Sequence, residues 1–526
     1  MSLLKIKSNY RFSSLATLAL VLGFNSFAIQ AKKWTDQELE QFTSTQSIAE
    51  IQDAYLKGEL SVSRLTQFYL DKIKREDHKY NSVIALNPNV LTVAENQDKA
   101  LAQYNKQNIP ALFGVPILLK DNIESFELPT TAGSLALINN NTKRDATLTA
   151  NLRKNGALIL GKTNLSEWAN FRSERSSSGW SAVGGQTKNP HDVSRTPCGS
   201  SSGSGAAVAA NLAIAAIGTE TNGSITCPAA VNGVVGVKPT VGLVSRFGVV
   251  PISPSQDTAG PMTKNVADAK RILFAMQGMD TKDIETTQSG LKKVSKVAAP
   301  VPLEGLRLGV VYSSAEQHEQ VADIMKQAQL LLKQHGVELV IDLKFESYDG
   351  FWADSYTQLL REFKTSINHY FSSLPSDIPN ELNSLTLEGL IEFNQQNAER
   401  EMPFFQQEIF VKSQATEGMN TQRYKNLKSK LKRVTGKENI DALLKKHKLD
   451  ALIAVTRGPA WKIDKINGDH SNGGVSSFSA ISGYPHITIP MAKLHSLPIG
   501  ISVMTGFADD EKALNIAASL ETVLQK

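Results

Sequence analysis

The sequence predicts an α/β fold: a single large domain with a central mixed, twisted β-sheet covered by helices on both faces. Three observations point there. Of the 526 residues, 41% are hydrophobic and 20% charged, which is enough apolar side chain for a large packed core. Short apolar runs of strand length alternate with amphipathic helical stretches along the chain. No internal repeat, low-complexity tract or Pro-rich linker breaks that alternation, so nothing marks a domain boundary.

At the start, Lys5, Lys7 and Arg11 precede an apolar run over residues 15–24 that closes on the small residues Ser26 and Ala28. This is the layout of a secretory signal peptide, with cleavage expected near Ala28 or Ala31. The run falls short of the roughly 20 residues a membrane span needs. The expectation is therefore a signal segment over 1–31, a domain over 32–526, and an exported protein, periplasmic or secreted, with no membrane attachment after cleavage.

Residues 34–106 read as helical, with capping boxes at Ser47/Glu50 and Thr92/Glu95 and a stop at Gly58. "FGVPILLKDN" (113–122) reads as a buried strand ending in a charge. Residues 145–164 give a helix, a stop at Gly156 and a strand over 157–160. A Ser/Gly turn runs into an alanine-rich helix, and a Gly/Val/Pro-rich region of short strands follows as far as Met262. Residues 281–448 form a mostly helical embellishment with few apolar runs, "RLGVVY" among them. "LDALIAV", "HITIPM" and "GISVM" are late core strands, and a closing helix starts at Asp510.

The formal net charge of +5 falls to +2 without the first 31 residues, which carry three basic side chains and no acidic one. That is too small a bias for a nucleic-acid or anionic-lipid partner. Cys198 and Cys227 are the two cysteines, so this is no disulfide-stapled scaffold. An oxidising compartment would permit a bond between them, and their spacing leaves the matter open.

The chemistry centres on "TPCGSSSGSGAAVAAN" (196–211). A flexible linker is a poor reading, because the stretch lies between core-like segments. A phosphate-loop pattern elsewhere, Gly156 to Lys162-Thr163, has Ala157, Leu158, Ile159 and Leu160 at its centre, which read as strand where a phosphate loop needs exposed N–H groups. Gly199 to Gly203 fits G-x-S-x-G, with Asp257 and His470, His486 or His495 following in order, but "SRTPC" is a poor strand to precede a nucleophile elbow. His318-Glu319 lacks the second histidine of a zinc motif, having Ala322 there, and Ser289/Lys292 lack a K-T-G partner motif. What remains is Lys120 at the end of an apolar run, Ser200 in the turn, and Ser224 in "GTETNGSITCPAA", where glycines let successive N–H groups converge.

With those motifs, together with "GALILGKTNLSEWANFRS", "GGQTKNP", "DTAGPM" and "GYPHITIPM", the chain resembles the amidase signature hydrolases over essentially its whole mature length. "CGSSSGSG" with "TETNGSITCPA" is most similar to bacterial peptide amidases. The resemblance implies Lys120 as catalytic lysine, Ser200 as bridging serine behind a cis Gly199–Ser200 peptide, and Ser224 as nucleophile, 24 residues on as the family motif requires. It implies an oxyanion hole from the N–H groups of Thr221, Asn222, Gly223 and Ser224, and no metal or organic cofactor. Asn222-Gly223 stands where many members have Gly-Gly, Glu220 where Asp is common, and Thr226 where many have Arg, so any ion pair to that arginine must be replaced.

The implied reaction cleaves a carboxamide C–N bond, of a peptide C-terminal amide or a small acyl amide, through an acyl-enzyme with release of ammonia. Alternatives sharing these motifs are the ammonia-supplying subunit of a tRNA-dependent amidotransferase and amidases of fatty or aryl amides. A free lysine, with pKa about 10.4, is neutral in only about one molecule in 2,500 at pH 7, so burial must lower it by roughly 4–5 kcal/mol. The helices of 281–448 and the aromatics Trp168, Phe171 and Trp180 are candidates to shape the substrate pocket, with core packing the other reading.

Overall fold

The computed structural model describes residues 34–525 apart from 377, 379 and 472; the expected signal segment and its cleavage positions lie outside the described residues. The strands, in chain order, are β1 (Val83–Leu86), β2 (Pro116–Lys120), β3 (Leu158–Thr163), β4 (Trp180–Ser181), β5 (Gly185–Gln186), β6 (Ala215–Glu220), β7 (Val235–Lys238), β8 (Thr258–Thr263), β9 (Arg307–Val311), β10 (Glu338–Leu343), β11 (Ala451–Val455), β12 (His486–Leu494) and β13 (Leu497–Met504). Eleven of them form one sheet in the order β1-β3-β2-β6-β8-β7-β12-β13-β11-β9-β10, and β4 with β5 make a small hairpin.

The sheet is mixed. β2 runs parallel to β3 and β6, and β9 to β10 and β11; the pairs β6/β8, β7/β8, β7/β12, β12/β13 and β11/β13 are antiparallel. Successive residues of a strand face opposite sides. Every residue of β2, β3, β6 and β8 is buried, so helices and loops cover both faces there.

The local signals act as expected in most places. Ser47 and Glu50 form a reciprocal capping box on helix Ile48–Leu56. Gly156 turns the chain with φ +90° before β3. Thr92/Glu95 is a correction: the helix starts at Val90, after Asn89, so Thr92 lies inside it and caps nothing. A second correction is β1, a strand within the stretch read as helical.

Residues 281–448 contribute β9 and β10 to the sheet as well as the helical block that begins at Phe351. That block builds its own core, separate from the core over the sheet. Phe363, Ile367, Phe371, Leu390 and Phe410 pack there against Ala132, Trp168, Phe171, Val250 and Ile252, residues of the loops that follow β2, β3 and β7. The block therefore grips the ends of the strands from which the polar residues of the next section project.

Candidate active site

β2 carries Lys120 at its last position. Its hydrophobic neighbours Ile117, Leu118 and Leu119 are fully buried, and so is Lys120 itself. The Lys120 Nζ donates to Ser200 Oγ at 2.8 Å, to Thr219 Oγ1 at 2.7 Å and to the Thr219 carbonyl at 3.3 Å. Burial pushes its pKa down to about 7, against the opposing pull of the Asp257 and Glu220 carboxylates. Of its three neighbours, only the carbonyl demands an N–H; both hydroxyls can donate. The pocket thus accommodates a neutral amine with its lone pair aimed at a hydroxyl proton.

Ser200 lies between the cis Gly199–Ser200 peptide and helix Ser202–Ala209. Gly199 is required by close approach: a Cβ there would collide with Ser166 Oγ. The turn is fastened by its own serines. Ser201 Oγ donates to the Thr219 carbonyl at 3.0 Å, Ser202 Oγ to the Cys198 carbonyl at 2.6 Å, and the Ser201 N–H to the Ser224 carbonyl at 3.1 Å. No strand leads directly into Gly199, and Ser201 is spent on a backbone carbonyl, which disposes of the nucleophile elbow.

Ser224 follows β6 and is 8% exposed, whereas Lys120 and Ser200 are inaccessible, so of the three only Ser224 faces incoming solute. Gly223 has φ +82°, and this left-handed turn redirects the chain between Asn222 and helix Thr226–Asn232. Thr221 Oγ1 donates to Asp257 Oδ1 at 2.6 Å. Ser476 Oγ donates to Asn222 Oδ1 at 2.9 Å. The structure therefore brings Lys120, Ser200, Thr221, Asn222, Gly223 and Ser224 onto three adjoining segments.

The missing arginine has a substitute. Glu220 Oε2 accepts the N–H groups of Ile225 and Thr226 at 2.8 and 2.9 Å and the Thr226 hydroxyl at 3.1 Å. A side-chain hydroxyl and two amides thus hold the carboxylate where an ion pair would otherwise be needed. Cys198 and Cys227 are joined in a disulfide, Cα atoms 6.0 Å apart, tying the Ser200 turn to the helix after Ser224.

The competing motifs resolve into structure. Lys162 of the phosphate-loop pattern is fully buried in β3, bonded to the Ile123 carbonyl at 2.6 Å and paired with Asp121 at 3.3 Å. His486 is buried in β12, held neutral with its pKa pushed down to about 4 by burial. His470 is at the surface, on Asp464. Among the described residues no group of three His, Cys, Asp or Glu is placed to hold a metal. Trp168, Phe171 and Trp180 are core residues, edge-on to Phe410, Phe363 and Phe405. Their neighbour Ala169 instead lines a crevice with Asn122, Thr219, Thr221 and Asp257, which shares Arg246, Val249 and Asp257 with an outer cavity of about 330 Å³.

Residues 64–514 match the Amidase family. The chain belongs to the amidase signature family. This amidase is 36% identical to a probable amidase of Arabidopsis thaliana, over 91% of this chain and 90% of that one. It is 31% identical to a glutamyl-tRNA(Gln) amidotransferase subunit of Bdellovibrio bacteriovorus, over 90% and 96%. The crystal structure of the native peptide amidase from Stenotrophomonas maltophilia superposes with a TM-score of 0.85 at 41% identity, covering 92% of this chain and 97% of that one. Thr219, Asn122 and the role of Asp257 in this amidase escape a reading of the sequence; "FGVPILLKDN", "GTET" and "DTAGPM" held the local signal.

Proposed function

We propose that this amidase is an exported serine hydrolase that releases ammonia from the C-terminal carboxamides of peptides or from small acyl amides, with Ser224 as nucleophile. The observation that carries the substrate reading is the 41% identity, over nearly the full length, to a peptide amidase. Export is supported by the Cys198–Cys227 bond, because disulfides persist in oxidising compartments and are rare in a reducing cytosol.

In the proposed cycle, neutral Lys120 takes the Ser200 proton as Ser200 takes the Ser224 proton, and Ser224 Oγ attacks the amide carbonyl. The N–H groups of Thr221, Asn222, Gly223 and Ser224 stabilise the oxyanion, each donor being worth about 10²–10³ in rate. Collapse breaks the C–N bond, and Ser200 returns a proton to the nitrogen that leaves as ammonia. Water then repeats the sequence on the acyl-enzyme and frees the carboxylate.

The test is ammonia release from amidated peptides, fatty amides and aryl acylamides by wild type and by Ser224→Ala. Turnover of amidated peptides that vanishes in the variant is expected; turnover of fatty or aryl amides alone overturns the peptide assignment. A second reading, an ammonia-supplying amidotransferase component, has in its favour the 31% identity to such a protein. Cell fractionation separates the two: cytoplasmic retention with a co-purifying partner would favour the second.

A further inference from the structure

Asp257 immediately precedes β8, beside the end of β6, where Thr258 pairs with Glu220. Its carboxylate is half-buried and collects three donors. Oδ1 takes the Thr221 hydroxyl at 2.6 Å, and Oδ2 takes the N–H groups of Ile252 and Ser253, each at 2.8 Å. Arg246, paired with Asp283 at 2.6 Å, closes the far side by donating to the Pro254 carbonyl at 2.6 Å.

Ser253 has a second carboxylate partner. Its hydroxyl donates to Glu362 Oε2, and Glu362 stands on helix Phe351–Ser372 of the helical block. Glu362 is inaccessible to solvent and makes no ion pair among the described residues. Its Oε1 is satisfied by hydroxyl and amide donors: Ser255 Oγ at 2.5 Å, Tyr424 Oη at 2.7 Å and Gln358 Nε2 at 2.9 Å. A buried carboxylate with neutral donors only is costly unless its hydrogen bonds are complete. Its placement fixes the 252–257 loop from the block side.

We propose that Asp257 and Glu362 form a two-carboxylate strut, joined at Ser253, through which the helical block positions Thr221 and hence the oxyanion segment 221–224. The inference rests on the proposed role of that segment. It assigns to Asp257, in the wall of the crevice, and to Glu362, buried behind it, control over where the N–H groups point. A binding role would show in KM; a positioning role shows in kcat, because oxyanion donors act on the transition state.

The experiment is a double-mutant cycle of Thr221→Val and Asp257→Ala on a turned-over amide, at a pH above the Lys120 limb where the amine is already neutral, with Glu362→Gln beside it and melting curves for all. Each single variant is expected to lose about 10-fold or more in kcat with KM within about twofold. The double variant is expected to be no slower than the slower single, within about twofold, because both remove one contact. Multiplicative losses, or a Thr221→Val enzyme with wild-type kcat, overturn the strut. If Asp257→Ala fails to fold, Ser253→Ala takes its place in the cycle. Ser224→Ala run in parallel separates the two levels. A dead Ser224→Ala with a fully active Thr221→Val removes the strut alone, whereas an active Ser224→Ala removes the underlying reading.

Discussion

Thr219 meets the Lys120 amine twice, through its hydroxyl at 2.7 Å and its carbonyl at 3.3 Å. The hydroxyl is in turn fixed by Asn122 Nδ2 at 3.0 Å. The lysine is thereby held in a dry, hydrogen-bonded seat whatever its charge, and that seat decides how its protonation responds to pH.

Activity is expected to rise with pH through about 7, the value to which burial lowers Lys120, because the ammonium below it has no lone pair to accept a proton. The acidic limb of a kcat/KM profile measures this. Asp257→Asn removes a carboxylate that supports the ammonium, so its limb is expected at lower pH. A limb that does not move on that substitution would contradict the electrostatic account.

Stability carries the same signature. Between about 7 and the unfolded lysine value of about 10.4, the unfolded chain binds the extra proton, so stability rises with pH by up to about 1.36 kcal/mol per unit. Lys120→Met abolishes this term. The variant is expected to be inactive yet to melt higher than wild type at pH 7, with the gain shrinking towards pH 10, as calorimetry at several pH values would register.

Glu220→Ala strands the buried N–H groups of Ile225 and Thr226, at about 1–3 kcal/mol each, and frees the turn behind Ser224. Thr226→Val removes one hydroxyl donor and leaves both amides bonded, so a smaller loss is expected. Urea denaturation ranks the two; a Thr226→Val enzyme as stable as wild type would argue that the hydroxyl is no substitute for an ion pair.

Opening the Cys198–Cys227 bond releases a loop closed over a separation of 29 residues, at about 3–4 kcal/mol in the chain-entropy account. Serine at both positions is expected to lower the melting temperature and to slow turnover, since each cysteine stands within three residues of a proposed catalytic serine. Melts with and without reductant on wild type check the first part, and kcat of the double variant the second.

Glu167 and Arg172 make a fully buried ion pair at 2.7 Å, and Arg172 also donates to the Phe405 carbonyl at 3.2 Å and stacks 4.4 Å over the Phe405 ring. Arg172→Met is expected to cost about 3–5 kcal/mol, because Glu167 is left without its partner. Limited proteolysis should then cut the helical block faster than the sheet.

Lys120, Ser200 and Ser224 are legible in the sequence because each stands in a short motif with its own backbone demand: a strand end, a close-approach glycine, a left-handed turn. Central strands are legible for a related reason, since burial on both faces leaves continuous apolar runs. β1 and β10 are the two edges of the sheet, half-buried or exposed along most of their length, and their apolar runs, Val83–Leu86 and Leu339 to Ile341, are too short to tell a strand from a helix segment by pattern alone. The Lys120 seat at Thr219, the Thr221 bond of Asp257 and the Ser253 bond of Glu362 escape notice because each joins residues far apart in the chain. Thr92/Glu95 shows the opposite failure, a correct capping pattern one turn too late.

The core beneath the helical block is distinct from the large core over the sheet and touches it through loops, whereas Phe351, Leu431 and Ile440 of the block pack in a third cluster with Leu452 and Ala454 of β11 and Met504 of β13. On the side that faces the loops after β2, β3 and β7, such a seam lets the block behave as a cassette. Its interior can drift, and with it the reach of whatever shapes incoming molecules, while the strands that bear the reactive groups stay untouched. Exchanging the block between relatives, with its loop-facing side kept, is the natural way to redirect selectivity without rebuilding the engine.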